Sequence, residues 1–176
     1  MSESITDRAA LAADLERARS DFQHLLAVAN DDWNKPTQGT RWTNEQLLFH
    51  MVFGYMVVRR LLFLVRLFGR LPDRASRGFA RILDAATRPF HVINYYGSCA
   101  AALVYNRSRM GKKMDREIDK LQRSLASQND SSFRRGMHYP PGWDPYFRSY
   151  MTLADVYGYP GQHYDHHRRQ LTLTRM

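Results

Sequence analysis

The sequence contains little cysteine: Cys99 is the only one among 176 residues. A single thiol excludes an intramolecular disulfide framework and a metal site built from several thiolates. Any metal ligands must therefore be histidines or carboxylates, and the chain has seven histidines. Cys99 has no neighbouring base or helix-start signal, so we expect a small buried residue rather than a nucleophile.

A long uninterrupted apolar run is also missing. Leu47–Val58 is apolar apart from His50, but arginines at positions 59, 60 and 66 interrupt its continuation. About 12 uncharged residues remain where a membrane span needs about 20, which favours a buried helix. Residues 1–7 are polar and show no signal-peptide pattern, so we expect a cytoplasmic protein. The length predicts a single domain, residues 1–176.

Acidic residues are scarce in the middle of the chain. Between residues 59 and 113, twelve arginines and lysines accompany only Asp73 and Asp84, within a formal net charge of +9. Helix-turn-helix, zinc-finger and Gly-aromatic RNA motifs are absent, so a nucleic-acid partner is not favoured. Two interpretations remain, a solvated face or a surface that meets an anionic substrate or membrane. Leu61–Val65 beside the arginines makes anionic lipid the more plausible surface partner.

Apolar residues recur at helical spacing and no alternating pattern reaches a useful strand length, so the predicted fold class is all-α. Thr43-Asn44-Glu45-Gln46 and Thr152-Leu153-Ala154-Asp155 each predict a helix start with a capping box. Pro160 with Gly161 predicts a kink in the last helix. Phe90–Tyr105 has no pattern that assigns it. The earlier predicted helices span about Thr6–Asn30 with Thr6 as N-cap, Thr43–Phe68, Asp73–Thr87 and Ser108–Ser127, and Ser127–Pro145 is predicted to be a loop.

Three of the histidines lie in a short segment near the C-terminus. On a helix, His163 and His167 are one turn apart on the same face, whereas His166 is offset to one side. One helix supplies two ligands, and a facing helix must complete the site. His50 is the natural third ligand, because it lies in an apolar run where an unpartnered imidazole is costly to bury. The alternative is that His50 is a hydrogen-bonded core residue and that the C-terminal histidines form a solvated stripe.

Several other side chains have alternative roles near this predicted site. Gln170 shares the face of His163 and either orients a ligand or packs against another helix. Asp155 precedes His163 by eight residues and is a candidate for a hydrogen bond to a ligand. Asp165 points away from that face and is predicted to pair with the arginine at position 168 or 169. An aromatic cluster either lines a pocket or plugs one end of the fold: Tyr139, Trp143, Tyr146, Phe147 and Tyr150.

Two blocks of the sequence resemble a known family. Trp42–His50, with the sequence WTNEQLLFH, resembles the tryptophan, helix start and histidine of the DinB/YfiT-like family. His163–Leu171 resembles the closing His-x-x-x-His-Arg-Gly-Gln-Leu signature of that family, with Arg169 where glycine is usual. Both blocks occur in the family's order. The family's histidine pattern maps onto positions 50, 163 and 167.

The resemblance implies a four-helix bundle with a long connection between its middle helices. It also implies that the three histidines bind zinc, nickel or a similar divalent ion, with one coordination position open. Characterised relatives use that position for thiol chemistry, as thiol S-transferases or as a mycothiol-dependent maleylpyruvate isomerase. Three neutral ligands leave the ion its full charge, which acidifies a bound thiol or water.

We therefore predict a metal-dependent transferase with a low-molecular-weight thiol as cosubstrate and an electrophilic small molecule as substrate. The sequence assigns no catalytic residue. The alternative is a non-catalytic protein, related to stress, that binds a metal or a small ligand. Peripheral association with an anionic membrane is a third hypothesis, and a homodimer is left open as the oligomeric state.

Overall fold

The computed structural model describes residues 8–29 and 31–174, which form an α-helical fold with one small β-sheet. The α-helices within these residues are α1 (Arg8–Val28), α2 (Asn44–Phe68), α3 (Asp73–Ala85), α4 (Thr87–Val104), α5 (Arg107–Ala126), α6 (Asp130–Phe133) and α7 (Leu153–Arg168). The strands are β1 (Gly136–His138) and β2 (Tyr150–Thr152), and short 3-10 helices span Asp32–Asn34 and Pro141–Trp143. The predicted all-α class is confirmed.

The two predicted capping boxes are present. At the start of α2, the Thr43 hydroxyl accepts from Gln46 N at 3.4 Å and the Gln46 side chain accepts from Thr43 N at 3.1 Å. At the start of α7, Thr152 and Asp155 make the same exchange at 3.2 and 2.8 Å. Each exchange satisfies two N–H groups that have no partner inside the helix, which defines where α2 and α7 begin. Pro160 lies inside α7, which continues through it to Arg168.

The structure differs from the predicted elements in the second half of the chain. The unassigned Phe90–Tyr105 belongs mostly to α4, and Ser127–Pro145, predicted to be a loop, contains α6 and β1. β1 pairs antiparallel with β2. Each strand has three residues, too few for an alternating pattern to be recognised. Thr6 and Asn30, the predicted limits of the first helix, lie outside the described residues.

The hydrophobic core lies among α1, α2, α5 and α7. α2 packs against α7, α5 and α4, while α1 packs against α5 and α7. Apolar side chains at helical spacing face one another across these contacts, and their removal from water is the main stabilising contribution. The fully buried core residues include Leu15, Phe22, Leu48, Met51, Tyr55, Met114, Ile118 and Tyr164.

α2 is long and apolar enough, by length and composition alone, to cross a membrane. However, 56% of its most apolar 18-residue window is buried against the rest of the protein. A helix at the centre of a folded core has the same composition, because most of its faces contact other elements. The burial therefore accounts for the apolar character of α2, as the sequence predicts.

The basic middle segment is partly neutralised by carboxylates from outside it. The fully buried Glu117 of α5 lies 3.1 Å from Arg59 and 3.0 Å from Lys113. Glu45, in the first turn of α2, lies 3.7 Å from Arg107. Lys113 and Glu117 are one turn apart on α5, whereas the contacts of Arg59 and Arg107 could not be anticipated from the local charge pattern, because they join elements distant in sequence.

Candidate metal centre

Three histidines from α2 and α7 face one another: His50, His163 and His167. One ring nitrogen of each lies within 4.8 Å of one ring nitrogen of the others. The ring centroids of His163 and His167 are 4.5 Å apart, and that of His50 is 4.8 Å from His167 and 5.2 Å from His163. His50 and His163 are 5% and 6% exposed. The structure thus brings the three predicted ligands together, and binding of an ion there stays a prediction.

His50 is held from two sides. Trp42, which directly precedes the N-cap of α2, stacks on its imidazole with ring centroids 4.4 Å apart. Ser98 of α4 places its Oγ 3.1 Å from Nδ1 of His50. When Nδ1 donates its proton to this hydroxyl, the lone pair of Nε2 is available to an ion. The two contacts together fix the plane of the ring.

His167 has a hydrogen-bond partner three residues later. Its Nδ1 donates to Oε1 of Gln170 at 2.7 Å. An amide oxygen only accepts, so Nδ1 carries the proton and Nε2 keeps a free lone pair. Gln170 therefore contacts a predicted ligand, and its role in orienting that ligand stays a prediction. His166 is offset as predicted, with its Nδ1 3.3 Å from the hydroxyl of Tyr146.

His163 packs against the backbone of α2 at Gly54. A Cβ at position 54 would lie 2.8 Å from Nδ1 of His163, closer than real Cβ atoms approach other heavy atoms. Gly54 is one turn after His50, so the missing side chain makes room for the imidazole from α7 beside the imidazole of α2. On its other side, Nε2 of His163 lies 3.7 Å from Oδ2 of Asp144.

A buried amide connects the start of α2 to the segment that follows α7. The side chain of Asn44, which is fully buried, donates to the carbonyl oxygen of Asp32 at 2.8 Å. It also accepts from Thr172 N at 3.0 Å. Asn44 lies six residues before His50 and Thr172 five residues after His167. These hydrogen bonds therefore hold the two ligand-bearing helices in a fixed relative position.

Burial keeps the three histidines neutral. Burial, followed by the neighbouring His163 and His167, lowers the pKa of His50 well below its usual value. Burial is also the main cause that lowers the pKa of His163 to about 4 and that of His167 to about 3. Neutral imidazole is the form that binds a metal ion. The fold therefore keeps the three side chains in their metal-binding form at neutral pH.

The three histidines open onto a cavity of about 210 Å³. Phe90 of α4 stacks on Trp143 with ring centroids 3.9 Å apart, which brings α4 against the loop before β2 at the cavity wall. Trp143 and Phe147 of the predicted aromatic cluster line the cavity, whereas its three tyrosines lie outside the lining. The remaining apolar walls come chiefly from α2: Phe53, Val57 and Leu61.

Asp144 and Tyr159 bring polar atoms to this largely apolar cavity. The Tyr159 hydroxyl donates to Oδ2 of Asp144 at 2.9 Å, and Tyr146 N donates to Oδ1 at 2.9 Å. Burial raises the pKa of Asp144, against the opposing effect of these hydrogen bonds. Burial beside Asp144 also raises the pKa of Tyr159 well above its usual value. Asp144 is thus a carboxylate with an increased affinity for a proton, next to His163.

Three other residues differ from their predicted roles. Asp155 caps α7 and forms an ion pair with Arg148, so the structure does not bring it to the histidines. Asp165 binds Arg17 of α1 at 3.0 Å, and the prediction of a partner at position 168 or 169 was wrong. The reason is that α1 packs along α7, which local spacing cannot reveal. Cys99, expected to be buried, is partly buried on α4.

Four residues of the site were not identified from the sequence: Gly54, Ser98, Asp144 and Tyr159. Gly54 follows His50 by four residues and Tyr159 precedes His163 by four, so helical spacing was a usable signal for both. Ser98 and Asp144 reach the site from α4 and from the loop before β2. Nothing in their local sequence connects them to the histidines.

A family comparison agrees with this arrangement. The DinB superfamily profile matches residues 14–171, which include the three histidines and every residue that lines the cavity. The chain belongs to the DinB superfamily. Its three neutral imidazoles on two helices fit a metal-binding DinB-like protein. No curated protein and no solved structure matches this DinB-superfamily chain significantly.

Proposed function

We propose that this DinB-superfamily protein is a divalent-metal-dependent transferase that joins a low-molecular-weight thiol to an electrophilic small molecule. The observation that carries the proposal is the convergence of three neutral imidazoles at the wall of an apolar cavity. Zinc and nickel are the proposed ions, because imidazole nitrogen is a favourable ligand for both. His50, His163 and His167 would hold the ion and would leave room for the thiol as a further ligand.

The architecture belongs to the same proposal. We take α1, α2, α5 and α7 as the four helices of a family-type bundle, with α3 and α4 as the long connection between its middle helices. The mutual packing of these four helices around one core supports that assignment. Residues 1–176 then form one domain, for which we propose a cytoplasmic location.

Each side chain of the site has a separate role in the proposed reaction. A bound divalent ion supplies positive charge that lowers the pKa of a thiol and stabilises its thiolate. Ser98 and Gln170 hold His50 and His167 with their Nε2 lone pairs available. Asp144 accepts the proton that the thiol releases, because burial raises the pKa of this carboxyl. As the C–S bond forms, the bond from the electrophilic carbon to its leaving group breaks, and the leaving group departs with the electron pair and takes up the proton from Asp144. Tyr159 keeps Oδ2 of Asp144 in place.

The cavity limits the substrate. Its volume of about 210 Å³ suits a small molecule or the reacting part of a larger one. Its walls are mainly aromatic and aliphatic side chains, so the part of the substrate next to the reacting carbon is expected to be apolar. We propose that these walls also exclude water, which would otherwise compete with the thiol.

Thiol consumption by reconstituted protein tests the proposal. Metal-free protein is loaded with one equivalent of zinc or nickel and incubated with several thiols and electrophiles. We expect turnover that requires the metal and is lost in His50→Ala and His167→Ala. His24→Ala is the matched control, because His24 is an exposed residue of α1. Bound metal without turnover across the panel would contradict the proposal and favour the non-catalytic binding protein.

A further inference from the structure

α4 presents five large apolar residues to solvent, while two of its polar residues face the protein. Asn94 lines the cavity and Ser98 contacts His50, so these two polar side chains face inward, whereas Arg88 and His91 are exposed. The outer face carries five large side chains that are between 56% and 83% exposed: Val92, Ile93, Tyr96, Leu103 and Val104. A helix that meets water normally has the opposite arrangement.

These outer residues form one continuous stripe. We define the α4 stripe as the five exposed residues together with Ala100. At about 100° per residue they fall within one third of the helix circumference, and Val92 to Val104 spans about 18 Å. None of the six is charged. An uncovered apolar surface of this length is unfavourable in water and marks an interaction site.

Both ends of the α4 stripe carry positive charge. Arg88 is exposed in the first turn of α4 and Arg81 is exposed on the preceding helix α3, while Arg109 and Lys112 are exposed in the first turns of α5 at the other end of the stripe. Among residues 8–29 and 31–174, no carboxylate oxygen lies within 4.0 Å of these four cationic groups. The surface that covers the stripe must therefore be apolar at its centre and anionic around it.

We propose that the α4 stripe docks onto an anionic lipid bilayer. Its apolar side chains would enter the boundary between headgroups and acyl chains, while the flanking arginines contact lipid phosphates.

A second copy of the chain fits the α4 stripe less well than a lipid bilayer does. Parallel packing of two stripes brings Arg88 against its own copy, and antiparallel packing brings Arg88 against Arg109, so like charges meet in both orientations. Since Phe90 and Asn94 line the cavity, docking places the candidate site about one helix diameter from the lipid.

Vesicle co-sedimentation of the full chain tests this proposal. Vesicles of phosphatidylcholine alone are compared with mixed phosphatidylcholine–phosphatidylglycerol vesicles, at low and at physiological salt. We expect binding to the mixed vesicles only, and weaker binding at the higher salt, where charges are screened over about 8 Å. Absence of binding to the mixed vesicles at low salt overturns the proposal.

Two double variants separate the contribution of the charged side chains to vesicle binding from that of the apolar side chains. Arg81→Glu with Arg88→Glu should weaken binding by roughly 25-fold or more, because each basic residue near the surface contributes about fivefold. Ile93→Ser with Leu103→Ser should abolish binding even at low salt. Arg116→Glu with Arg123→Glu makes the same charge change at exposed positions of α5 and should bind almost as well as the unmodified chain.

Circular dichroism melts check that all three variants fold, and sedimentation equilibrium gives the oligomeric state. Equal vesicle binding by the unmodified chain, by Arg81→Glu with Arg88→Glu and by Ile93→Ser with Leu103→Ser overturns the proposal. A dimer that Ile93→Ser with Leu103→Ser dissociates, without vesicle binding by the unmodified chain, also overturns it and assigns the stripe to a second copy.

Discussion

The close approach of His163 to Gly54 makes Gly54→Ala a sensitive test of the site. The new Cβ would lie 2.8 Å from Nδ1 of His163, about 0.6 Å short of ordinary contact at 3.4 Å. Alanine in a helix interior raises the free energy of unfolding by about 0.5–1 kcal/mol relative to glycine. Overpacking a well-packed site lowers the same free energy by about 1–3 kcal/mol. We expect a net loss of about 1–2 kcal/mol, a fall in Tm of about 2–8 °C for a chain of this size.

The same substitution should weaken metal binding more than it weakens the fold. Because the His163 ring must move away from α2, one of the three ligands is displaced, and we expect at least about tenfold lower affinity. Gly78→Ala is the matched control, since Gly78 lies in α3 and a Cβ there has nothing within 4 Å. That control should raise Tm slightly and leave metal affinity unchanged.

Thermal melts of the metal-free proteins measure Tm, and calorimetric titration with zinc measures the metal affinity. If Gly54→Ala raised Tm as much as Gly78→Ala and bound zinc equally tightly, His163 would not pack against α2 as described. Lower stability with unchanged zinc affinity would mean that His163 is not a ligand.

The remaining predictions concern pH, the buried carboxylate and the interhelical contact. The free energy of unfolding of the metal-free protein should fall as pH drops from about 6.5 toward 4, because the unfolded chain takes up a proton that buried His163, with a pKa of about 4, does not. The lowered pKa of His163 alone corresponds to about 3 kcal/mol. The lowered pKa values of His50 and His167 add to this loss, and urea unfolding across pH measures the total. Asp144→Asn should reduce thiol turnover about 10²- to 10⁴-fold while metal stoichiometry is kept, whereas equal loss of metal would show a structural role. Tyr159→Phe should cause a smaller loss in the same assay. Asn44→Ala should cost about 1–3 kcal/mol in urea unfolding, since buried partners lose their hydrogen bonds, and an unchanged midpoint would refute this contact.

Local signals explain what the sequence predicts well. Thr43 and Thr152 are followed three residues later by a side chain that completes a capping box, so the starts of α2 and α7 are encoded within four residues. The spacing of His163 and His167, which places both on one helix face, is likewise encoded within a few residues. Convergence with His50 required a facing helix, and it was proposed from the cost of burying an imidazole.

Contacts between distant elements explain what the sequence does not predict. Ser98 and Asp144 reach the histidines because α4 and the loop before β2 pack against α2 and α7. Phe90–Tyr105 has no assignable pattern, because five large apolar side chains of α4 face outward while Asn94 and Ser98 face inward, so the helix does not match a core-facing pattern. The partner of Asp165 was mistaken because the ion pair with Arg17 depends on how α1 lies on α7.

Metal stoichiometry and affinity in histidine variants test the central claim most directly. Purified metal-free chains are titrated with zinc and with nickel by calorimetry, and bound metal is measured by elemental analysis after gel filtration. We predict one tightly bound ion per chain, lost in His50→Ala, His163→Ala and His167→Ala and largely retained in His166→Ala and His24→Ala. Equal stoichiometry and affinity in all five variants would contradict a metal centre formed by the three histidines.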